Sequence, residues 1–196
     1  MRLSGTPRTW AALLLAAGLS GCAAGPRVFV NPQADMSFYK KVAVLPFGNL
    51  SPDRFAGERV TRAFITELVL ADRFQVVEPA DFAAALDKVG GLPGSEGIYD
   101  PEKVKLAMTQ IGATGLVRGA VNEYSLQRSG SDESPVLSFD VELVDVATGA
   151  IVWRASITRQ GRGRFPILGG SGTRSFSSLV EDACAEVVRR LEKEAF

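Results

Sequence analysis

The chain has 196 residues, and its 22 basic and 22 acidic side chains give a formal net charge of +0 at pH 7. This balance gives no overall field for nucleic acid, and no stripe of Lys and Arg is visible, so we expect no nucleic-acid partner. The sequence contains no histidine, which excludes imidazole bases, Ser-His-Asp and Cys-His nucleophiles and His-ligated zinc. Because no pair of carboxylates lies in a recognisable motif either, we expect a non-enzyme without a metal or cofactor site.

Residues 1–21 have the pattern of an export signal that ends directly before Cys22. Arg2 and Arg8 give a positive start, and a short apolar run and small residues up to Gly21 follow. The run is too short to cross a bilayer as a helix, which needs about 20 residues. We therefore predict a lipoprotein signal peptide and lipidation of Cys22, which would hold the protein at a membrane. The alternative is an ordinary secretory signal in which Cys22 is incidental.

The segment after the cysteine is predicted to be a tether. Ala23 follows Cys22, and the absence of an aspartate there favours the outer membrane, by analogy with enteric bacteria. Residues 22–37 contain Gly and Pro and show no sustained period. The fifteen residues after Cys22, 23–37, reach at most about 50 Å when extended, and less if residues 28–30 form a short edge strand. We predict a single periplasmic domain over residues 38–196.

The first half of this domain alternates predicted strands and helices. Residues 41–47 form a nearly unbroken apolar run, typical of a strand covered on both faces, and residues 74–78 form a second strand. Helical spacing of apolar residues begins near Val60. Two further helices are predicted to begin at Pro79 and at Pro101, the latter with Asp100 as its N-cap.

The second half of the domain is rich in predicted strands. Residues 116–124 form one strand, residues 127–135 a polar loop, and residues 137–144 and 151–157 a hairpin of alternating apolar and polar side chains. A segment rich in Gly and Arg over residues 160–174 leads to the last helix, where Ser178 and Glu181 have the spacing of a capping box. Cys184 lies on the apolar face of that helix and is expected to be buried. The order β-α-β-α-α-β-β-β-α predicts an α/β fold with a single mixed β-sheet and helices packed on it.

Several of these segments resemble a known superfamily. They lie at residues 42–47, 66–68, 73–78, 112–113, 117–121 and 144–153. They are similar to the curli-secretion (CsgG-type) lipoproteins, to the amino-terminal domain of TolB, and to the lipoprotein activators of penicillin-binding proteins. The resemblance implies a TolB N-terminal or CsgG-like core, and it does not by itself imply an activity. Residues 127–135 and 160–174 are too short and too polar for the membrane-spanning hairpins of the curli channel, so we expect no pore.

The resemblance and the predicted anchor lead to one functional hypothesis and one alternative. The hypothesis is an outer-membrane-anchored periplasmic lipoprotein that acts by protein–protein contact as an accessory or assembly factor of a secretion or surface-structure system. The alternative is an activator of a peptidoglycan synthase, a penicillin-binding protein, which requires that the partner reaches outward because the tether is short. A homo-oligomer is a further possibility, since relatives form rings or dimers.

The candidate contact residues are four arginines. Arg159, Arg162, Arg164 and Arg174 lie in or beside the Gly-rich segment ahead of the last helix, where they could contact an anionic group or the acidic face of a partner. The alternative is a flexible solvated loop. The alternation of Ser138, Asp140 and Glu142 could be a binding face, although the solvated side of a sheet explains it more simply.

Overall fold

A seven-stranded mixed sheet organises the chain in the computed structural model, which describes residues 25–94, 97–129, 132–161 and 175–195. The strands run in the spatial order β1-β7-β6-β5-β2-β4, and β3 also pairs with β5. The pairings of β2 with β4 and of β2 and β3 with β5 are parallel, and those of β5 with β6, β6 with β7 and β1 with β7 are antiparallel. The strands are β1 (Arg27–Val30), β2 (Lys41–Val44), β3 (Gly48–Asn49), β4 (Gln75–Val76), β5 (Gly115–Ser129), β6 (Asp132–Asp145) and β7 (Ile151–Gln160).

Four helices within these described ranges cover the sheet unevenly. They are α1 (Ala56–Leu70), α2 (Pro79–Lys88), α3 (Pro101–Gln110) and α4 (Phe176–Ala195), and a 3-10 turn spans Met36–Phe38. One core contains the buried side chains of α1 and α4, and a second, smaller core contains those of α2 and α3. The predicted α/β class and the single mixed sheet are confirmed. None of the helices described has both the length and the hydrophobicity that a membrane crossing requires.

The predicted helix starts are confirmed in α2 and α3 but not in α4. Asp100 Oδ1 accepts hydrogen bonds from the backbone N–H groups of Glu102 at 2.9 Å and of Lys103 at 3.4 Å, as an N-cap does. In α4 the hydroxyl of Ser175 accepts from the backbone N–H of Ser178 at 3.2 Å. The capping box predicted at Ser178 is therefore wrong, because the helix begins before that residue.

The polar segment over residues 127–135 is mostly strand, so the loop predicted there is wrong. The ladder of β5 with β6 continues through Gln127 opposite Ser134 and Arg128 opposite Glu133. Gln160 Nε2 donates to Gln127 Oε1 at 3.0 Å and to Ser134 Oγ at 2.9 Å. These polar side chains bond to one another across the strands, and their composition is therefore compatible with a sheet.

β1 lies within the predicted tether and shortens it. Residues 27–30 pair with β7, with Arg27 opposite Ser156 and Val30 opposite Trp153. This confirms the short edge strand that the sequence allows near residues 28–30. The stretch that precedes β1, residues 22–26, spans at most about 18 Å when extended. The predicted boundaries of the signal, the tether and the domain remain predictions.

Cys184 is fully buried in α4, as its position on the apolar face predicts. Its Sγ lies 4.0 Å from the backbone carbonyl oxygen of Val60 in α1. Burial, with a contribution from the charge of Glu67, raises the pKa of the thiol. The thiol therefore stays protonated and acts as a small apolar side chain between the two helices.

A buried pair of polar side chains fixes the turn between β6 and β7 to the start of the domain. Tyr39 Oη donates to Asp145 Oδ2 at 2.9 Å, and Asp145 Oδ1 accepts from the backbone N–H of Thr148 at 2.6 Å and from its hydroxyl at 2.8 Å. Burial and the hydrogen bond to Asp145 raise the pKa of Tyr39 to about 12. Burial by itself would raise the pKa of Asp145, but these hydrogen bonds outweigh it and lower that pKa.

The Asp145 carboxylate therefore makes stability depend on pH. Its folded-state pKa lies below the unfolded value of about 3.9. Its contribution is present above that unfolded value and is lost as the pH falls through the folded pKa. We expect Asp145→Asn to lower the free energy of unfolding by about 1–3 kcal/mol at neutral pH, and by less in acid. Urea unfolding at neutral and acidic pH measures both effects.

Tyr39→Phe is the matched control for this prediction. It removes one hydrogen bond, at a cost of about 1 kcal/mol, and keeps the titrating carboxylate. A variant Asp145→Asn that loses stability in acid as steeply as the wild type would contradict the assignment of this pH dependence to Asp145.

Candidate partner-binding face

The helices leave part of one sheet face open to solvent. α2 and α3 pack over Ala43 of β2, over Leu45 directly after this strand and over Leu116 at the start of β5, all of which are buried. Further along β5 and on the neighbouring strands, the same face carries polar side chains that the described parts of the chain leave accessible. We call this surface the open sheet face, and its residues are Arg118, Asn122, Ser138, Asp140, Glu142, Arg154, Ser156 and Thr158.

The centre of the open sheet face is a carboxylate between two arginines. Arg118, Glu142 and Arg154 lie opposite one another on β5, β6 and β7. Glu142 Oε2 accepts from Arg118 Nε at 3.0 Å, and Glu142 Oε1 lies 3.1 Å from Arg154 Nη1. The side chain of Glu142 is 15% exposed, whereas those of Arg118 and Arg154 are 49% and 48% exposed. Glu142 thus fixes the direction of two guanidinium groups that remain accessible to a partner.

Two further cross-strand hydrogen bonds extend this polar surface along the strands. Asn122 Nδ2 donates to Asp140 Oδ2 at 2.7 Å. The hydroxyl oxygens of Ser138 and Thr158 lie 3.1 Å apart. Because these side chains are held by neighbours on the next strand, a partner would meet a surface whose polar groups are already ordered.

A cleft of about 370 Å³ lies between α3 and the open sheet face, beside Arg118. Apolar side chains line it together with the charged side chains of Glu102, Lys105, Arg118 and Asp145. Lys105 Nζ donates to the backbone carbonyl oxygen of Ala147 at 2.7 Å, which fixes the β6–β7 turn to α3. A cleft of this composition suits an apolar side chain of a partner flanked by polar groups. Its apolar lining residues include Leu45, Val104, Met108, Leu116 and Val144.

The structure describes one of the four predicted contact arginines. Arg159 lies near the end of β7, forms an ion pair with Glu186 of α4, and donates from Nη1 to the backbone carbonyl oxygen of Thr158 at 3.1 Å. It therefore connects the sheet to α4. Cys22, Arg162, Arg164 and Arg174 lie outside the described residues.

Sequence reasoning finds only part of the open sheet face. The alternation of Ser138, Asp140 and Glu142 in β6 is visible in the sequence. The two arginines that Glu142 holds lie on other strands, and only the register of the sheet brings them to it. No local sequence pattern predicts the cleft between α3 and the open sheet face either. Among the described residues, no group of three or more His, Cys, Asp and Glu side chains is placed to hold a metal ion.

A family comparison identifies the class of protein. Residues 21–157 match the family model described as the peptidoglycan-synthase activator LpoB. The chain therefore belongs to this family. The match agrees with the sequence resemblance to the lipoprotein activators of penicillin-binding proteins, whereas the resemblance to the CsgG-type proteins and to TolB remains a prediction. No curated protein matches the chain.

Two solved structures share the fold over most of their length. The PelC dodecamer from Paraburkholderia phytofirmans is 24% identical, with a TM-score of 0.56, and the match covers 85% of this chain and 95% of that chain. The lipoprotein GNA1162 from Neisseria meningitidis is 21% identical, with a TM-score of 0.55, over 78% of this chain and 98% of that chain. At these identities the similarity shows a shared fold and does not by itself show a shared function.

Proposed function

We propose that this chain is an envelope lipoprotein that stimulates a peptidoglycan synthase by direct contact. The observation that carries the proposal is the match of residues 21–157 to the LpoB activator family. An accessory role in a secretion or surface-structure system, which the sequence suggested first, is the less specific interpretation. The family match supports activation of a peptidoglycan synthase better than this accessory role.

The open sheet face and the neighbouring cleft are the proposed contact surface. Arg118 and Arg154 are held by one carboxylate and are half exposed, and arginine is among the residues that contribute most to binding at protein interfaces. The cleft beside Arg118 adds a pocket lined by both apolar and charged side chains. A synthase surface with a carboxylate and a protruding apolar side chain would fit both features.

The anchor limits where this contact can take place. With Cys22 acylated, residues 22–26 separate the lipid from β1 and span at most about 18 Å. The domain would therefore stay next to the periplasmic face of the outer membrane, where confinement raises its effective concentration for partners. A synthase held in the inner membrane must itself extend to this surface, because the activator has no long linker within these residues to reach inward.

The contact surface predicts the effect of Arg154→Ala. The change removes one exposed guanidinium, while Arg118 still pairs with Glu142 and preserves the fold. We expect weaker binding to the synthase by about tenfold, or about 1.4 kcal/mol, and a matching loss of stimulation at limiting activator. The measurement is glycan polymerisation by a purified bifunctional synthase from the same organism, titrated with the mature chain.

Arg62→Ala is the matched control, since Arg62 lies on α1, away from the open sheet face, and its side chain is 77% exposed. It removes the same charge, and we expect binding and stimulation to stay unchanged. Equal losses in Arg62→Ala and Arg154→Ala would contradict the proposed surface. Absence of stimulation by the wild-type chain would contradict the proposed function.

Lipidation predicts that Cys22→Ser releases the protein from the membrane. The variant lacks the thiol that would carry the lipid, and the acyl chains supply the membrane affinity. We expect the wild type in the outer-membrane fraction and the variant in the soluble periplasmic fraction after cell fractionation. Complete retention of Cys22→Ser with the outer membrane would show that another feature holds the protein there.

Self-association is the second proposal, and the PelC structure, which is a dodecamer, is the observation that favours it. Light scattering of the mature chain measures its molar mass in solution: a multiple of the chain mass supports self-association, and the mass of one chain contradicts it.

Arg159, Arg162, Arg164 and Arg174 remain proposed contacts for an anionic group or an acidic partner.

A further inference from the structure

The chain enters the sheet from the end where β5 and β6 are joined. β1 is antiparallel to β7, with Arg27 opposite Ser156 and Val30 opposite Trp153. The chain that precedes Arg27 therefore runs toward the carboxyl end of β7 at Gln160. At that level β6 and β5 continue beyond β7 as a two-stranded hairpin.

The surroundings of Gly25 agree with this direction. A Cβ built on Gly25 would lie 3.3 Å from Arg190 Nη2 and 3.7 Å from Glu186 Oε1. Glu186 in turn forms the ion pair with Arg159, near the end of β7. Gly25 thus lies beside α4 at about the level of Arg159, and the predicted lipid attachment site is close to it in the sequence.

The anchor is shorter than the hairpin that extends past it. From Cys22 to Gly25 the chain spans at most about 11 Å. Arg159 lies opposite Leu137 of β6, which lies opposite Tyr124 of β5. Both strands continue from there to the end of the hairpin, a further distance of about 17 Å at the usual rise of a strand. The hairpin therefore extends past the anchor by at least about 6 Å, which is comparable to the thickness of one headgroup layer, roughly 5–8 Å.

From these lengths we propose that Arg128 and Glu133, the described side chains nearest the end of the β5–β6 hairpin, lie in the headgroup layer of the membrane that holds Cys22. The inference rests on the proposed lipidation and deepens it, because it states which end of the domain meets the lipid. The occupant of this surface is the lipid headgroup layer, and the hairpin approaches it with its strands inclined toward the membrane.

The side chains near the hairpin end fit headgroups better than hydrocarbon. Gln127 and Arg128 are exposed, and Arg128 forms an ion pair with Glu133 in which the two side chains are 80% and 43% exposed. Leu126 is the large apolar side chain exposed near them, at 55%. Charged groups at the centre of a bilayer are costly, whereas the interface accepts polar groups together with single apolar side chains.

The orientation also leaves the open sheet face available. That face runs along β5, β6 and β7 between the hairpin and the β6–β7 turn. When the hairpin points at the membrane, the side chains of this face therefore point roughly parallel to the membrane surface. The turn near Ala147 then lies at the end of the domain farthest from the lipid. A partner could reach Arg154 from the side while the anchor is in the membrane.

Depth-dependent quenching tests the orientation in the acylated full chain. The variants Arg128→Cys and Ala147→Cys place a thiol in β5 near the hairpin end and in the turn at the opposite end of β6, both at exposed positions. Cys184 is buried, and Cys22 is acylated, so an environment-sensitive dye labels the introduced thiol. The probe is a vesicle of phosphatidylethanolamine and phosphatidylglycerol that contains a lipid with a nitroxide on its headgroup.

We expect the nitroxide to quench the dye at Arg128→Cys several-fold more strongly than at Ala147→Cys. Leu126→Cys provides a second position at the hairpin end, in case loss of the Arg128–Glu133 ion pair disturbs the strands. The same labels in a Cys22→Ser background should lose their quenching, because the protein then leaves the vesicles.

The outcomes separate this inference from the proposed anchor. If the acylated chain stays on the vesicles but the dye at Ala147→Cys is quenched equally or more, the orientation is wrong and the anchor stands. If the chain is not acylated, or Cys22→Ser stays on the vesicles with the same quenching, the proposed anchor is wrong and the orientation falls with it.

Discussion

The pairing of β5 with β6 is the constraint on which the rest of the structure depends. β5 also binds β2 and β3 on its other edge, and β6 also binds β7, so the ladder between them joins the parallel and antiparallel parts of the sheet. Gly119 shows how closely the strands and the core approach here. A Cβ at this position would lie 2.5 Å from the carbonyl oxygen of Asp140 and 2.8 Å from the Phe47 ring. Any larger residue would therefore displace either the ladder or the core.

The mixed sheet explains why the described helices leave a polar face uncovered. Parallel strands need crossover connections, and the helices α2 and α3 of these connections cover the parallel part of the sheet. Antiparallel strands need only short turns, so β5, β6 and β7 extend past the helices on that side. Their opposite face is covered by α1 and α4, which bury large side chains such as Phe139 and Trp153. The candidate site is thus a consequence of topology, and its arginines are ordered by the strand register.

Sequence patterns predict the features that depend on interactions within a few residues and miss those that depend on contacts between strands. The buried strand at β2 and the helix start at Asp100 are predictable, because apolar runs and capping side chains act within a few residues. The polar strands around Gln127 are missed because their side chains are satisfied by the opposite strand. For the same reason the contact of Glu142 with Arg118 and Arg154 cannot be found from composition, since it requires the register of three strands.

The position of β1 changes what a lipid anchor would do in this protein. A long flexible linker would let the domain rotate freely and sample space far from the membrane. Here β1 takes residues 27–30 into the sheet, and Gly25 already lies beside α4, so only Ala23 and Ala24 lie between Cys22 and the described part of the domain. Such an anchor limits rotation as well as distance. With such an anchor, the entry point of the chain would decide which surface a partner meets. The open sheet face, where Arg118 and Arg154 lie, would remain accessible in the proposed orientation.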